Sequence, residues 1–375
     1  MTLPLFIDRV EAFVFRAPIS KPVQTSFGKM HDRPAVFVRV TNAQGLSGWG
    51  EIWCNFPAVG AEHRARLVKS VFREKLERQK FATPLEAFEV LTASTEVLAI
   101  QSAEPGPIGQ CIAGLDIALW DLAAKQVGQP LWQYLGGTQA DIAVYASGLN
   151  PTEPELLAAQ QYAQGHRAFK LKVGFGADKD LGNLQALRSV LGPQALMVDA
   201  NQAWTLETAL AMAPKLARFD LQWLEEPLRA DRSPEEWLAL SSASNIALAA
   251  GENMAGQRNF AKAIASGAFR VLQPDLAKWG GFSGCVPVAK AIRQSGLRFC
   301  PHYLGAGIGL LASAHWLAAV GGEGMLEIDA NDNPLRTLTC GPLNQVQEGR
   351  ASLNDLPGLG LELDLHSLKP FSVPY

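Results

Sequence analysis

From about residue 141 onward, short apolar runs recur at a nearly even spacing, and almost every run ends on a reactive side chain. Ala195-Leu-Met-Val-Asp199 leads from four apolar residues into an acid, with Asn201 just beyond. Phe169-Lys-Leu-Lys172, Trp223-Leu-Glu225, Ala249-Ala-Gly-Glu252, Val271-Leu-Gln-Pro-Asp275, Phe299-Cys-Pro-His302 and Leu326-Glu327 repeat the arrangement, and their terminal residues step along the numbering by 23 to 27. A buried strand, a tight turn, a helix of three or four turns and a return loop take about that many residues, which is the unit of a parallel sheet closed by crossover helices. Strands are predicted near 142–146, 168–173, 195–201, 221–227, 246–253, 269–275, 298–303 and 325–329. Helix-start signals fall between them, such as Thr152-Glu-Pro-Glu155 with Gly165 at its close, and the reciprocal capping pattern Ser233-Pro-Glu-Glu236. The expected architecture is α/β, a (β/α)7-8 barrel, in which all strand C-termini open at one face and distant residues converge there.

The first third has a different pattern. Residues 6–16, 35–41 and 46–52 read as strands from their β-branched and aromatic content, followed by helices at about 61–79, 84–99 and 109–127. Thr83, Pro84 and Glu86 mark the start of the second of these helices. Residues 20–31 are too long for a simple turn and mixed in chemistry, and are read as a functional loop. An α+β capping domain over 1–130 and a barrel over 131–345 follow. The Gly- and Leu-rich tail, 346–375, lacks a helix period and is expected to leave the barrel and complete the first domain.

At 375 residues the chain is long enough for both. An apolar content of 48% with 18% charged residues suits a globular protein with a large core. Its net charge of −3 gives no attraction to nucleic acid or anionic lipid, so no nucleic acid and no membrane is expected as a partner. A small-molecule substrate is the expected ligand, and a homo-oligomer the expected assembly. Cys54, Cys111, Cys285, Cys300 and Cys340 are odd in number and form no C-x-x-C pair, which points to reduced, buried thiols. With no signal peptide and no membrane-length apolar run, a cytoplasmic location is expected.

Three carboxylates at the ends of successive strands, Asp199, Glu225 and Glu252, would repel one another unless a cation lies between them. Their all-oxygen chemistry suits a hard divalent ion, Mg2+. Strand parity makes Glu225 the inward member of Glu225-Glu226 and turns Glu226 away. Lys170 and Lys172 share the interior face of their strand, and a lysine beside another ammonium and a metal is expected to have a lowered pKa, as a general base requires. Asp275 and His302 end neighbouring strands, so the acid can hold one ring nitrogen and leave the other aimed at the cavity. Glu327, if kept neutral, would donate a hydrogen bond to developing negative charge. His315, inside a helical pattern, is read as structural. The turns Trp279-Gly-Gly-Phe-Ser-Gly284 and Gly305-Ala-Gly-Ile-Gly309 are compatible with a phosphate cradle or with tight βα turns.

Lys-Leu-Lys172, Val-Asp-Ala-Asn201, Leu-Glu-Glu-Pro227, Gly-Glu-Asn253, Gln-Pro-Asp275 and Pro-His302, in this order and spacing, resemble the enolase superfamily and within it the mandelate racemase subgroup. The resemblance spans most of the chain. It implies Mg2+ on Asp199, Glu225 and Glu252, with Lys172 as one base supported by Lys170. The Asp275-His302 pair would be the other acid or base, and Glu327 would assist an ene-diolate. It also implies that the N-terminal domain covers the barrel mouth with loops near 20–31 and 51–58. Lys21, Trp53 and Asn201 are then candidate substrate-binding residues, alongside Gln24, Thr25, Ser26, Lys29, His31 and Asn55. The common first step would be removal of the proton α to a carboxylate. Loss of a β-hydroxyl from a sugar acid is the preferred continuation, because a polyol needs many donors and acceptors. Racemisation or epimerisation is the alternative, and a catalytically silent barrel a third reading.

Overall fold

The computed structural model describes residues 3–24 and 28–375. An antiparallel sheet in the order β3-β2-β1-β4 opens the chain, formed by β1 (Leu5–Gln24), β2 (Lys29–Asn42), β3 (Ser47–Ile52) and β4 (Lys80–Phe81). Residues 20–31 are not the loop expected. Residues up to Gln24 and from Lys29 on prolong β1 and β2, whose pairing breaks after Pro18 opposite Asp32 and resumes at Val23 opposite Met30. Lys21, Lys29 and His31 are exposed while Val23 and Met30 are buried, the two-faced pattern of a half-covered ribbon. Thr25, Ser26 and Phe27 lie outside the described residues.

Helices cover Gly60–Leu67, continuing through a π turn into Arg73–Leu76, then Pro84–Gln101 and Pro105–Gln126. The Thr83 hydroxyl accepts the Glu86 N–H at 3.1 Å, but the Glu86 carboxylate reaches one residue further back, to the Ala82 N–H at 2.5 Å. Strand β3 lies directly on the helix Pro105–Gln126. A Cβ on Gly50 would fall 2.0 Å from the Gly114 carbonyl oxygen, so this approach requires glycine.

The barrel is parallel and nearly closed, in the order β12-β5-β6-β7-β8-β9-β10-β11. Its strands are β5 (Asp141–Leu149), β6 (Ala168–Lys172), β7 (Ala195–Asp199), β8 (Leu221–Glu225), β9 (Leu248–Ala250), β10 (Val271–Leu272), β11 (Arg298–Phe299) and β12 (Met325–Asp329). All eight predicted strands are present. The last few before β12 are short: Gly251 leaves the strand with φ +147°, and Pro274 and Pro301 bring no N–H to the ladder. No ladder joins β11 to β12. Arg298 Nε instead donates to the Glu323 carbonyl at 2.8 Å, and the Met325 N–H to Cys300 Sγ at 3.4 Å. The helix expected to begin on Thr152 begins after Glu153, which takes a left-handed conformation and makes no side-chain cap, whereas Ser233 and Glu236 form the full capping box.

Beyond the barrel, β13 (Arg350–Ser352) pairs antiparallel with β5. The chain then returns over the N-terminal elements, where the Leu359 N–H donates to Asp121 Oδ1 at 2.7 Å and the Val373 N–H to the Val14 carbonyl at 3.0 Å. Inside the barrel Tyr145, Met197, Trp223, Val271 and Met325 fill one apolar level. Lys170, Glu225 and Glu327 are also buried in the barrel interior, toward the C-terminal ends of their strands. All five cysteines are free and buried. Among the described residues no helix is long and apolar enough to cross a membrane.

His315 is structural, as read: it is buried in the helix Gly307–Val320, and its Nδ1 accepts the Trp132 N–H at 3.0 Å. Burial pushes its pKa down to about 4 from 6.5. The unfolded chain therefore takes up a proton that the folded chain refuses, and stability falls as pH drops from about 6.5 towards 4. His315→Asn keeps an acceptor for Trp132 and is expected to flatten that fall by roughly 1.4 kcal/mol per pH unit inside the window. Denaturant unfolding of both proteins at pH 7, 6 and 5 measures this, and parallel curves would show that His315 does not titrate there.

Candidate active site

Strands β6, β7 and β8 pair in register so that Lys172, Asp199 and Glu225 stand side by side at their C-terminal ends. Lys172 Nζ lies 2.6 Å from Asp199 Oδ2. One turn of the pleat deeper, Lys170 Nζ lies 2.6 Å from Glu225 Oε1 and 2.7 Å from Glu327 Oε1. Glu225 also accepts from Trp223 Nε1 at 3.1 Å and from Gln273 Nε2 at 2.7 Å. Burial would strip the proton from Lys170, but Glu225 and Glu327 hold its pKa well above the ordinary value. For Lys172 burial again acts downward and Asp199 outweighs it, so these side chains by themselves raise its pKa; the lowering expected of it presumed a metal beside it as well as Lys170.

Asp275 and His302 meet as predicted. Asp275 Oδ1 accepts the N–H groups of Ala277 and Lys278 at 2.8 and 3.1 Å, which fixes the turn, while Oδ2 lies 2.8 Å from His302 Nδ1. The other ring nitrogen, Nε2, is 2.5 Å from Glu252 Oε2 and 3.7 Å from Glu327 Oε2. Burial opposes protonation of His302, but Glu252 and Glu327 bring its pKa up to about 10. Glu327 differs from expectation. Burial raises its pKa, yet Lys170 and His302 more than offset this, so it stands as a carboxylate between two cations rather than as a neutral acid.

Glu226 also departs from its reading. Strand alternation ends at Glu225, and Glu226 takes φ +36°, which keeps its carboxyl buried beside Asn253 Nδ2 at 2.8 Å. Burial and the neighbouring Glu252 and Asp199 push it well above the carboxylate range. Glu225 reaches about 7 chiefly through burial, with Asp199, Glu327 and Glu252 adding to it. Asp199, Glu225, Glu226, Glu252, Asp275 and Glu327 thus face fewer cations, namely Lys170, Lys172, Lys278 and His302. Among the described residues no three acids already surround one point, since Asp199, Glu225 and Glu252 are turned onto Lys172, Lys170 and His302. The donor set nevertheless fits a hard divalent ion: all oxygen, crowded and short of positive charge.

Above these groups lies a cavity of about 280 Å³. Lys172, Glu252 and His302 form its floor, and Trp53, Asn55 and Phe56 reach it from the segment after β3. The hairpin contributes Val23, Gln24, Met30 and Arg33, while Lys21 is exposed and does not line the cavity. Of the cap residues expected to supply polarity, Gln24 and Asn55 line the cavity, and the barrel adds the amides Asn150, Asn201, Gln202, Asn253 and Asn331. Sequence reading missed Arg33, Lys278, Asp329 and Asn331. A signal existed for the last two: Ile-Asp329-Ala-Asn331 repeats Val-Asp199-Ala-Asn201, and both form the same turn, with the Asn N–H donating to the Asp Oδ1 at 3.0 and 2.7 Å.

Both Gly-rich turns are already filled from the N-terminal domain. Glu51 accepts the N–H groups of Ala306 and Gly309 at 2.6 and 2.9 Å, and Asp116 accepts the Ser283 N–H at 3.0 Å and its hydroxyl at 2.6 Å. Each carboxyl sits where a helix N-terminus favours an anion. Burial raises both pKa values to about 7.

A charged, lysine- and histidine-lined mouth on a (β/α) barrel under an α+β cap defines a class, the enolase-superfamily lyases and isomerases. Within it the chain belongs to the mandelate racemase/muconate lactonizing enzyme family: residues 9–136 match its N-terminal domain and residues 155–367 match the enolase C-terminal domain-like family. The chain is 55% identical to a crystallised mandelate racemase/muconate lactonizing enzyme from Bordetella bronchiseptica RB50, with a TM-score of 0.93 over 98% of this chain and 99% of that one. A racemase from Streptomyces coelicolor with bound magnesium superposes with a TM-score of 0.89 at 28% identity, over 98% of this chain and 100% of that one. D-galactarolactone cycloisomerase of Agrobacterium fabrum is 28% identical over 387 residues, covering 98% of this chain and 99% of its own. Other relatives are named as dehydratases, synthases or a racemase.

Lys170 is the only neutralising neighbour within ion-pair distance of both Glu225 and Glu327 among the described residues, and all three are buried. Lys170→Met leaves two buried acids facing each other. The expected loss is about 3 to 5 kcal/mol of stability at neutral pH, smaller at pH 5 where the freed carboxyls take up protons. Denaturant unfolding at both pH values is the measurement, and a loss below about 1 kcal/mol at neutral pH would mean that the interior reorganises around the change.

Proposed function

We propose that the chain is a Mg2+-dependent acid sugar dehydratase, which removes the proton α to a carboxylate and then expels a β-hydroxyl to leave a 2-keto-3-deoxy acid. Asp199, Glu225 and Glu252 are the proposed metal ligands. Bound Mg2+ would supply positive charge for the substrate carboxylate and for the dianion that proton removal creates. Lys172 is the proposed base. Burial and then the fixed charge of Lys170 disfavour its proton, while Asp199, which favours that proton, is itself a proposed metal ligand; Lys170 cannot swing away because Glu225 and Glu327 hold it from two strands.

His302 is the proposed acid for the departing hydroxyl. Asp275 holds its Nδ1, which fixes the ring and favours the imidazolium, and Nε2 on the cavity side is then the nitrogen whose proton can be given up. The observation that carries dehydration is the cavity wall, where Asn55, Asn150, Asn201, Gln202, Asn253 and Asn331 offer neutral donors and acceptors suited to a polyol. A racemase or epimerase remains the second reading, supported by Lys172 and His302 both facing the one cavity.

Chelation is expected to abolish turnover and Mg2+ to restore it. At a hundredfold excess over its Kd, Mg2+ should also stabilise the folded chain by about 2.7 kcal/mol. Asp199→Ala or Glu252→Ala should lose both effects, as read by thermal unfolding with and without Mg2+. Full turnover in chelated protein would defeat the metal assignment. Against a panel of aldonic and aldaric acids, 2-keto product is the expected readout. Clean inversion at the α-carbon without 2-keto product would instead establish the second reading.

The two proposed proton-transfer groups separate in a further test. His302→Asn should drop dehydration by at least about a hundredfold while Lys172 still exchanges the substrate α-proton in D2O. Normal turnover in both His302→Asn and Lys172→Ala would show that neither group carries the reaction.

A further inference from the structure

We infer that the site takes a hydroxylated diacid, an aldarate in preference to an aldonate, and that Arg33 receives the second carboxylate. The inference rests on the proposed function for the place of the first carboxylate, at the Lys172 end. Arg33 stands on β2 opposite Ala17 and is only 1% exposed. Its Nη2 is hydrogen-bonded to Asp329 Oδ2 at the end of β12, which fixes the guanidinium plane against the barrel. The Arg33 side chain lines the same cavity, and its Nη1 is buried with no hydrogen-bond partner among the described residues, so a small turn of the guanidinium would bring it to an acceptor placed there. A buried N–H of a cation left without an acceptor is costly, and a purely structural tether would need only the Nη2 contact.

The charge at this end agrees. Asp329 faces Arg336 at 3.9 Å as well as Arg33, so one carboxylate answers two guanidinium groups and positive charge is left over. Asp332, the other acid acting on Arg336, is exposed, and burial holds nearby His166 neutral at about 4. In the same wall Asn150 donates from Nδ2 to Asn331 Oδ1 at 2.8 Å, while Asn150 Oδ1 is buried without a partner. Arg33 and Asn150 thus line one cavity, linked through Asp329 and Asn331, and each keeps one polar atom without a partner, a donor on the cation and an acceptor on the amide; this pairing suits the terminal carboxylate and adjacent hydroxyl of an aldarate. A terminal phosphate would ask for more donors than one guanidinium edge, and the two Gly-rich turns that could cradle it are filled by Glu51 and Asp116.

The test is calorimetric binding to the Mg2+-loaded full chain of configurationally matched hexonic and hexaric acids, with the corresponding 6-phosphohexonic acids as a third arm. The expected result is diacid binding roughly 10- to 100-fold tighter than its monoacid partner, with the ratio falling to near one in Arg33→Gln. Should that variant not fold, Asn150→Asp tests the same end, because an acid on the wall that Arg33 also lines disfavours a second carboxylate and should lower the ratio at least about fivefold. A ratio near one in the unaltered protein, a ratio unchanged in either folded variant, tighter binding of the 6-phosphate, or no binding by any member overturns the assignment. Product analysis on the same panel separates the two readings. Diacid selectivity without 2-keto product leaves Arg33 standing and ends the dehydratase reading, and 2-keto product without selectivity does the reverse.

Discussion

The structure depends first on one buried ammonium. Lys170 lies on β6 and bonds Glu225 on β8 and Glu327 on β12, so a single charge ties three strands across the barrel interior. Burying three ions is expensive unless their geometry is tight and their remaining positions are filled. Here they are: Trp223, Gln273, Ser147 and the Tyr303 N–H supply the other donors, and the Tyr145 ring lies 5.3 Å from Lys170 Nζ. The apolar level of Met197, Trp223 and Val271 elsewhere in the interior keeps water out and the local dielectric low. The cluster also stands next to the weakest part of the barrel, because Glu327 reaches the Tyr303 N–H at 3.3 Å across the side where β11 and β12 share no ladder. Lys172 and His302 are aimed only if that frame holds.

The second constraint is how the N-terminal domain is held over the mouth. Glu51 and Asp116 occupy the N-terminal ends of the helices Gly307–Val320 and Gly281–Gln294, and Arg33 answers Asp329 at the end of β12. Two carboxyls bonded at helix N-termini and one cation on a strand end set the register of the cap more sharply than apolar contact alone, because each partner has a fixed direction. The glycines of that turn are required by close packing around it: a Cβ on Gly309 would fall 2.2 Å from the Tyr303 ring, one on Gly307 2.2 Å from the Thr339–Cys340 backbone, and one on Gly305 2.1 Å from the Tyr303 hydroxyl and 2.9 Å from Glu51 Oε1.

The barrel was legible because its signal is periodic. An apolar run ending on Asp199, Glu225 or His302 reports both the strand and the reactive end, and repetition at one spacing removes other readings. What failed was local and non-periodic. Glu226 was assigned by parity, but parity holds only while the chain stays extended, and a left-handed residue breaks it. The 20–31 hairpin was hidden because one of its faces is solvated, so its composition reads as mixed. Lys172 was read from Lys170 and a metal, and Glu327 as an acid kept neutral by its surroundings, and neither reading could foresee the partners brought in from other strands, Asp199 for the first and Lys170 with His302 for the second. Arg33 carried no signal at all, because its partner lies 296 residues away.

The paired turns at Asp199 and Asp329 show how little of a site's chemistry lies in its motif. Each strand ends in Asp-Ala-Asn, each Asp accepts the N–H of the Asn two residues on, and each sits buried at the barrel mouth. Their surroundings then diverge. Asp199 has one cation, Lys172, and stands in register beside the acid Glu225, so the local charge is negative and suits a metal. Asp329 lies between Arg33 and Arg336, and its pKa is lowered by them against the effect of burial, so its charge is already answered. A metal there would have to displace two guanidinium groups held by their own hydrogen bonds. The same backbone device therefore produces an acidic end and a basic end of one cavity, and it is the neighbours across the barrel, not the Asp-Ala-Asn turn, that decide which end a substrate carboxylate meets first.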